Sequence, residues 1–206
     1  MRDDLVITIG RQYGSGGRAI GKALAALLNV PFYDKELITL ACEQSGISRE
    51  LLESYDEQPT NSLLYSLSMG NFALANPGAA SLDLPLNHKV FLAQFDAIRK
   101  LADQGSCVIV GRCADYVLAE YPHVLNVYIY APLEKRVERI MQRSDMTQKT
   151  AQTAVEKTDK KRANYYSFYT NKRWGAAESY HLCLDSSAVG EENAAQIIRE
   201  FAERMR

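Results

Sequence analysis

The chain has few residues of the kinds that hold metals. Its 206 residues include four cysteines and three histidines. The cysteines form neither a CxxC pair nor a zinc-ligand spacing, and the histidines show no metal spacing or catalytic partner. Because Cys107 and Cys183 lie in apolar, strand-like runs, we expect them to be buried free thiols. The sequence therefore favours neither a zinc domain nor a histidine-based site.

A large excess of one charge and a long apolar run are also missing. The 24 Lys and Arg balance 25 Asp and Glu, for a net charge of −1, which argues against a general nucleic-acid or membrane-surface binder. No run approaches the roughly 18 to 20 apolar residues of a membrane span. The N-terminal MRDDLVITIG leads directly into a strand pattern without a signal-peptide pattern. We expect a cytoplasmic protein, and its oligomeric state is left open.

What the chain does contain is a regular alternation of strand and helix patterns, without internal repeats. The strand patterns are near 5–9, 30–33, 107–111, 124–131 and 181–187. The helix patterns are near 17–29, 35–45, 48–54, 88–104, 147–167 and 191–204, with a further basic helix opened by Pro132. Between them, residues 56–86 are irregular and carry a short helix near 61–69. Strands joined by helices predict a parallel sheet covered by helices.

The segment LVITIGRQYGSGGRAIG (5–21) is the most informative part of the chain. A β-branched run leads into four glycines, Gly10, Gly14, Gly16 and Gly17, and an apolar helix pattern follows. In a strand–turn–helix context, backbone N–H groups and the helix N-terminus can bind phosphate. We therefore expect phosphate binding by Arg11, Gln12, Tyr13, Gly14, Ser15, Gly16, Gly17 and Arg18.

This loop departs from the usual phosphate-loop form, G-x-x-x-x-G-K-[ST]. If its second glycine is Gly16, then Gly17 takes the position of the lysine and Arg18 that of the hydroxyl residue. Arg11 then takes the first glycine position. The expected backbone cradle remains, but the phosphate-binding ammonium and the magnesium-binding hydroxyl are replaced.

Further polar residues follow the other predicted strands. In open α/β sheets, ligands bind outside the carboxyl ends of the strands. Asp34 follows the second strand, Gly111 and Arg112 follow the third, and residues 185–187 follow the last. We expect these groups to meet the glycine-rich loop at one edge of the sheet.

Taken in order, these motifs resemble the cytidylate-kinase-like branch of P-loop nucleoside monophosphate kinases. The matching segments span nearly the whole chain: ITIGRQYGSGGR, FYDKELI, VIVGRCAD, DKKR and CLDSS. The resemblance implies a P-loop NTPase-type three-layer α/β/α sandwich with a central parallel five-stranded sheet, a helical insertion and a helical lid. It also implies a single domain, residues 1–206, with a core at 1–34, 88–135 and 181–206. The insertion would span about 35–87 and the lid about 136–175.

The resemblance further implies ATP and Mg²⁺ as cofactors and a small nucleotide or phosphate acceptor as partner. The implied substrate-binding residues are Asp34, Gly111, Arg112, Asp115 and Asp159. Asp185 and Ser186 would border the adenine site. In two places the chain differs from the family pattern: KELI follows Asp34 instead of a TGAMYR-like run, and Cys113 stands where the family has Asp.

The charge needed for phosphoryl transfer is expected from arginines. Our hypothesis is that Arg18 partly replaces the missing lysine, and that lid arginines supply the rest, with Arg136, Arg139, Arg143 and Arg162 as the candidates. Arg136, Arg139 and Arg143 share one helix face. The alternative for these three is a solvated face paired with Glu134 and Glu138. For Asp34 the alternative is a helix cap.

Two classes of function remain open from the sequence. The first is an ATP-dependent kinase acting on a nucleoside monophosphate or a related acceptor, which the acceptor-side and lid arginines favour. The second is a nucleotide- or phosphate-binding regulator with little or no kinase activity, which the replaced lysine and hydroxyl favour. A dinucleotide-binding oxidoreductase is a weaker third class, because the spacing of the glycines does not fit.

Overall fold

The structure is a computed structural model that describes residues 4–34, 39–40, 43, 45–57 and 85–205. Its described strands form one parallel sheet in the order β2-β3-β1-β4-β5. The strands are β1 (Val6–Arg11), β2 (Phe32–Tyr33), β3 (Cys107–Val110), β4 (Val124–Tyr130) and β5 (Leu182–Asp185).

Helices connect these strands and cover the sheet. They are α1 (Gly17–Leu28), α2 (Arg49–Tyr55), α3 (Leu86–Asp103), α4 (Ala114–Val117), α5 (Leu133–Arg143), α6 (Gln148–Thr170), α7 (Ser186–Val189) and α8 (Glu191–Arg204). A short 3₁₀ turn, Ala177–Ser179, precedes β5. None of the helices in the described ranges is long and apolar enough to cross a membrane.

Alternating residues of the strands bury two separate cores, one on each face of the sheet. On one face, Val6 and Ile109 pack with Ile98 of α3. On the other face, Ile9 of the same strand packs with Leu24 of α1 and with residues of α8. This side-to-side alternation is what a strand covered on both faces requires. It confirms the predicted α/β/α sandwich with a central parallel five-stranded sheet.

Most predicted elements are present, with shifted ends. The second strand is only Phe32–Tyr33 instead of 30–33, and the helix predicted near 147–167 continues to Thr170. Thr147 caps that helix by accepting a hydrogen bond from the backbone N–H of Thr150, at 3.3 Å. Most of the helix predicted at 35–45 and all of the one at 61–69 lie outside the described residues. The domain limits stay predictions.

The two cysteines expected to be buried differ in how far they are buried. Cys107 is buried, and burial raises the pKa of its thiol to about 12. Cys183 is only half-buried, so the expectation was wrong for this residue.

The strand order also sets the position of the loops. Because β1 lies between β3 and β4, the loop after β1 is flanked by the segments that follow both neighbours. The backbone N–H of Gly111 donates to the Ile9 carbonyl, and that of Gln12 donates to the Ile129 carbonyl, both at 3.0 Å. These hydrogen bonds thus join the carboxyl ends of β3, β1 and β4 at the edge of the sheet where the loops begin.

Candidate active site

The glycine-rich loop turns the chain from β1 into α1. Gly14 and Gly16 have φ angles of +78° and +81°, a region that favours glycine because it is strained for residues with a Cβ. α1 then begins at Gly17, and its cap residue offers no side-chain hydrogen bond. The first N–H groups of the helix are therefore left to face a ligand, which is how helix N-termini bind phosphate.

The loop is fixed in place by hydrogen bonds to its neighbours. Gln12 Oε1 accepts from the backbone N–H of Ala131 at 3.1 Å. Ser186 Oγ donates to the Ser15 carbonyl at 2.5 Å. Ser15 Oγ is itself buried and has no hydrogen-bond partner within the described part of the chain. The backbone of the loop is thus preorganised, which lowers the entropic cost of binding.

A cleft of about 650 Å³ opens in front of this loop. That volume is in the range of sites for small molecules. Its lining is dominated by loop residues, arginines and carboxylates: Arg11, Gln12, Tyr13, Gly14, Gly16, Gly17, Arg18, Asp34, Glu53, Asp56, Glu57, Arg112, Ile140, Arg143, Ser144, Met146 and Arg162.

On one side of the cleft, Arg112 joins two carboxylates. Its Nη1 donates to Asp34 Oδ1 at 3.0 Å, while its Nε and Nη2 donate to the two oxygens of Asp56 at 3.2 and 3.1 Å. The Arg112 side chain is only 4% exposed. Gly111, Arg112 and Cys113 all have positive φ angles, and such strain is typical of functional sites.

Arg18 bonds the same Asp34 from the side of α1. Its Nε donates to Asp34 Oδ2 at 2.6 Å, and its side chain remains 56% exposed. Burial of Asp34 disfavours its charged form, but Arg112 and Arg18 outweigh that effect and lower the pKa of the carboxyl. Asp34 is therefore an anion that links the start of α1 to the end of β3. Residues 35–38 lie outside the described ranges, so the alternative role of Asp34 as a helix cap stays a prediction.

Deeper in the cleft, Glu57 joins two further arginines. Its Oε1 accepts from Arg11 Nη1 at 2.9 Å and its Oε2 accepts from Arg162 Nε at 3.0 Å. Burial of Glu57 favours its neutral form, but the two guanidinium groups outweigh this and hold its pKa well below the usual range. Arg162 Nη1 also donates to the Arg11 carbonyl, at 3.3 Å. The segment after α2, the glycine-rich loop and the long helix α6 thus meet at one carboxylate.

The helices α5 and α6 hold the loop from the opposite side. Asp159 accepts from the backbone N–H of Tyr13 at 2.8 Å and forms an ion pair with Arg136. Arg136 Nη1 also donates to the Tyr13 carbonyl at 3.2 Å. Both backbone groups of Tyr13 are therefore occupied by this buried pair, which positions the loop.

The two remaining arginines of α5 reach other elements. Arg139 Nη1 donates to Ser186 Oγ at 2.9 Å and to the Gly14 carbonyl at 3.4 Å. Arg143 is exposed and pairs with Glu191 at 3.2 Å. The alternative partners of this helix face, Glu134 and Glu138, are therefore not the ones used by these arginines.

The carboxylates of the cleft do not form a metal cage. Asp34, Asp56 and Glu57 are each paired with arginine. Within the described ranges, no group of three His, Cys, Asp or Glu side chains is placed to hold a metal ion. The protein residues present therefore do not fit a magnesium site made by the protein alone.

The comparisons with known proteins agree with this geometry. The sequence profile of the cytidylate kinase-like family matches residues 6–188. The chain belongs to this family. It is 24% identical over 204 residues to the cytidylate kinase of Methanopyrus kandleri, a match that covers 95% of this chain and 91% of that protein.

Solved structures support the same fold. An uncharacterised protein from Eubacterium ventriosum superposes with a TM-score of 0.71 and 28% identity, covering 98% of this chain and 99% of that one. Shikimate kinase from Bacteroides thetaiotaomicron gives 0.56 and 16% identity, with 97% and 98% coverage. At that identity the second likeness shows the fold alone. The family and its cytidylate kinase relative indicate a kinase-like protein.

Within this family fold, some of the residues predicted for the site line the cleft and others lie behind it. Those in the lining are Arg11, Gln12, Tyr13, Gly14, Gly16, Gly17, Arg18, Asp34, Arg112, Arg143 and Arg162. Those outside it are Ser15, Gly111, Asp115, Arg139, Asp159, Asp185 and Ser186. Asp115 accepts a hydrogen bond from Tyr166 at 2.7 Å and lies beside a small internal cavity. Asp185 caps α7 through the N–H of Ser187. Their functional roles stay predictions.

Two cleft residues had no sequence signal of their own. Asp56 and Glu57 were part of the segment interpreted as an irregular insertion, yet they bond three arginines of the site. Their only signal is their position directly after the helix predicted at 48–54, in the run YDEQ.

Proposed function

We propose that the protein transfers the γ-phosphoryl group of ATP to a nucleoside monophosphate or a related small acceptor. The observation that carries this proposal is the glycine-rich loop at the start of α1, which opens into a cleft lined by Arg11, Arg18, Arg112 and Arg162. For phosphoryl transfer, the protein mainly has to position the two substrates and to place positive charge around the transferring group. A kinase-like family and fold support the same class of reaction.

The loop and α1 would hold the ATP phosphates through backbone N–H groups. An oxygen of the acceptor attacks the γ-phosphorus, the bond from that phosphorus to the β–γ bridging oxygen breaks, and ADP leaves. Mg²⁺ would be supplied with the nucleotide as MgATP, because the cleft carboxylates Asp34, Asp56 and Glu57 are paired with arginines.

The acceptor would bind on the side of Asp34 and Arg112. The Arg112 guanidinium already donates to Asp34 and Asp56, so it would attract an acceptor phosphate through its charge, while the Asp34 carboxylate can accept bonds from hydroxyl or amino groups. Asp34 and Arg112 lie next to each other and at the edge of the same cleft. This pair suits an acceptor that carries both a phosphate and hydrogen-bond donors, as a nucleoside monophosphate does.

The test is a panel of acceptors incubated with ATP and magnesium and read as ADP formation. The panel contains CMP, dCMP, UMP, AMP and GMP, with shikimate as a non-nucleotide acceptor. We expect turnover with at least one nucleoside monophosphate, and a large loss of turnover in Arg112→Lys, which cannot hold Asp34 and Asp56 with the same planar set of donors. Protein without added acceptor measures ATP hydrolysis as the control.

The competing function is a nucleotide- or phosphate-binding regulator. The observation in its favour is that Gly17 and Arg18 stand at the start of α1, where the usual loop has lysine and a hydroxyl residue. ATP binding without ADP formation for any acceptor in the panel would reject the kinase and support this alternative.

A further inference from the structure

The side chain of Arg11 runs past two glycines, Gly17 and Gly111. It leaves the last residue of β1 and passes directly beside Gly17, where an added Cβ would lie 2.6 Å from Arg11 Cβ and 3.1 Å from its Cγ. Its guanidinium then reaches Gly111, where an added Cβ would overlap the guanidinium and lie 2.8 Å from Cζ. The space in which side chains at 17 and 111 would begin is therefore filled by Arg11.

The guanidinium of Arg11 ends at the cleft and is incompletely paired. The side chain is 12% exposed, and Nη1 donates to Glu57. Among the described residues, none accepts a hydrogen bond from its Nε or Nη2. Arginine carries five N–H donors and remains charged in proteins. Its remaining donors are thus available at a site that a ligand can reach.

The shared carboxylate of Glu57 also leaves donors of its two arginines for a second anion. Glu57 is a single carboxylate shared by Arg11 and Arg162. One carboxylate offers fewer acceptor sites than two guanidinium groups have N–H donors, and a buried donor left without an acceptor is unfavourable. A phosphate chain lying on the adjacent loop would supply that anion and accept the free N–H groups.

We propose that Arg11 binds the phosphate chain of the nucleotide in the place of a lysine at position 17, and that Arg11 and Gly17 form one coupled pair. The proposal deepens the function given above and rests on it for the identity of the ligand. Arg11 approaches the phosphates from the end of β1, whereas a lysine at 17 would approach from the start of α1. Only one of the two side chains fits, because their first carbons would overlap.

The test is a double-mutant cycle with affinity measured by calorimetry. The variants are Arg11→Met, Arg11→Gly, Gly17→Lys and the double variant Arg11→Gly/Gly17→Lys, because only glycine at position 11 removes the Cβ that a side chain at 17 would meet. The probes are ATP and inorganic tripolyphosphate, since the contact involves phosphate and not the nucleoside. Lys22→Met is the matched control, because Lys22 is an exposed cation on α1 outside the cleft lining. Thermal unfolding of each variant is measured alongside.

We expect Arg11→Met to bind both probes at least about tenfold more weakly, the range of a charge-assisted hydrogen bond. Lys22→Met should stay within about twofold of the wild type. Gly17→Lys alone should also lose affinity, because its side chain meets Arg11. The double variant should bind at least about tenfold more tightly than Arg11→Gly. If Arg11→Met does not fold, Arg11→Lys keeps the charge and should retain most of the affinity.

Wild-type affinity in Arg11→Met, or a double variant no better than Arg11→Gly, overturns the coupled pair. Absence of tripolyphosphate binding by the wild type overturns it as well. Failure of the kinase proposal is a separate result: Arg11-dependent binding of tripolyphosphate without ADP formation leaves this inference standing and rejects phosphoryl transfer.

Discussion

Replacing Glu57 by glutamine should destabilise the fold and at the same time strengthen anion binding. The Glu57 carboxylate accepts charge-assisted hydrogen bonds from Arg11 at 2.9 Å and from Arg162 at 3.0 Å, and it is only 13% exposed. Glutamine keeps one acceptor oxygen but turns an amide N–H₂ group toward the other guanidinium. The variant thus leaves two buried cations without a counter-charge.

The size of the destabilisation follows from that arrangement. Breaking a buried ion pair by removing one partner costs about 3–5 kcal/mol. In a domain of about 150 to 250 residues, 1 kcal/mol corresponds to about 2–4 °C. We therefore expect the Tm of Glu57→Gln to fall by roughly 6–20 °C. The control is Glu138→Gln, which breaks an exposed pair with Lys135 and should cost no more than about 1 kcal/mol.

Anion affinity should change in the opposite direction. Removing the Glu57 carboxylate frees Arg11 and Arg162 for a bound phosphate chain. A phosphate charge about 4 Å from a guanidinium contributes about 4 kcal/mol at an effective dielectric constant near 20. After screening, we expect at least about tenfold tighter binding of tripolyphosphate. Calorimetry at a temperature where both proteins are folded measures this. A variant as stable as the wild type, or a stable variant with weaker binding, would refute the reasoning.

Two other predictions concern the same network. The stability difference between wild type and Glu57→Gln should be full above about pH 5 and shrink as the pH falls below 4.5, the ordinary pKa of a glutamate, because the folded protein lowers that pKa. Denaturant titrations at several pH values test this, and a constant difference down to pH 3 contradicts it. Asp159→Asn weakens the buried pair that holds both backbone groups of Tyr13, so ATP affinity should fall about tenfold. Calorimetry against Glu138→Gln checks it, and unchanged affinity would show that this pair does not position the loop.

The architecture could be predicted because it depends on local patterns. A run such as CVIV is buried on both faces of the sheet, and its apolar, β-branched composition shows this directly. The last helix was expected near 191–204 and is found at Glu191–Arg204, since its apolar residues repeat at the helical period. The short strand Phe32–Tyr33 was overestimated because an apolar residue before it carries the same signal as a paired one.

The pairing of charges in the site could not be predicted in the same way. Arg136, Arg139 and Arg143 were correctly expected to share a helix, yet each pairs with a different element: α6, α7 and α8. An arginine that holds the protein together and one that holds a phosphate have the same sequence signal. Glu57 lies 46 residues from Arg11 and 105 from Arg162, and no periodicity in its segment indicates these contacts.

The placement of Arg11 beside Gly17 and Gly111 also explains how a loop with glycine at position 17 would bind phosphate. A phosphate site requires positive charge at the cleft, but the charge can come from β1 instead of α1 if the space at the helix start is free. Gly17 provides that space, Gly111 extends it, and Arg11 fills it. A buried guanidinium in this position then needs a nearby carboxylate to remain in place when no ligand is bound, which is the contact that Glu57 makes. Gly17, Gly111 and Glu57 therefore act together on Arg11: the two glycines leave space for its side chain, and the carboxylate stabilises its charge when no ligand is bound.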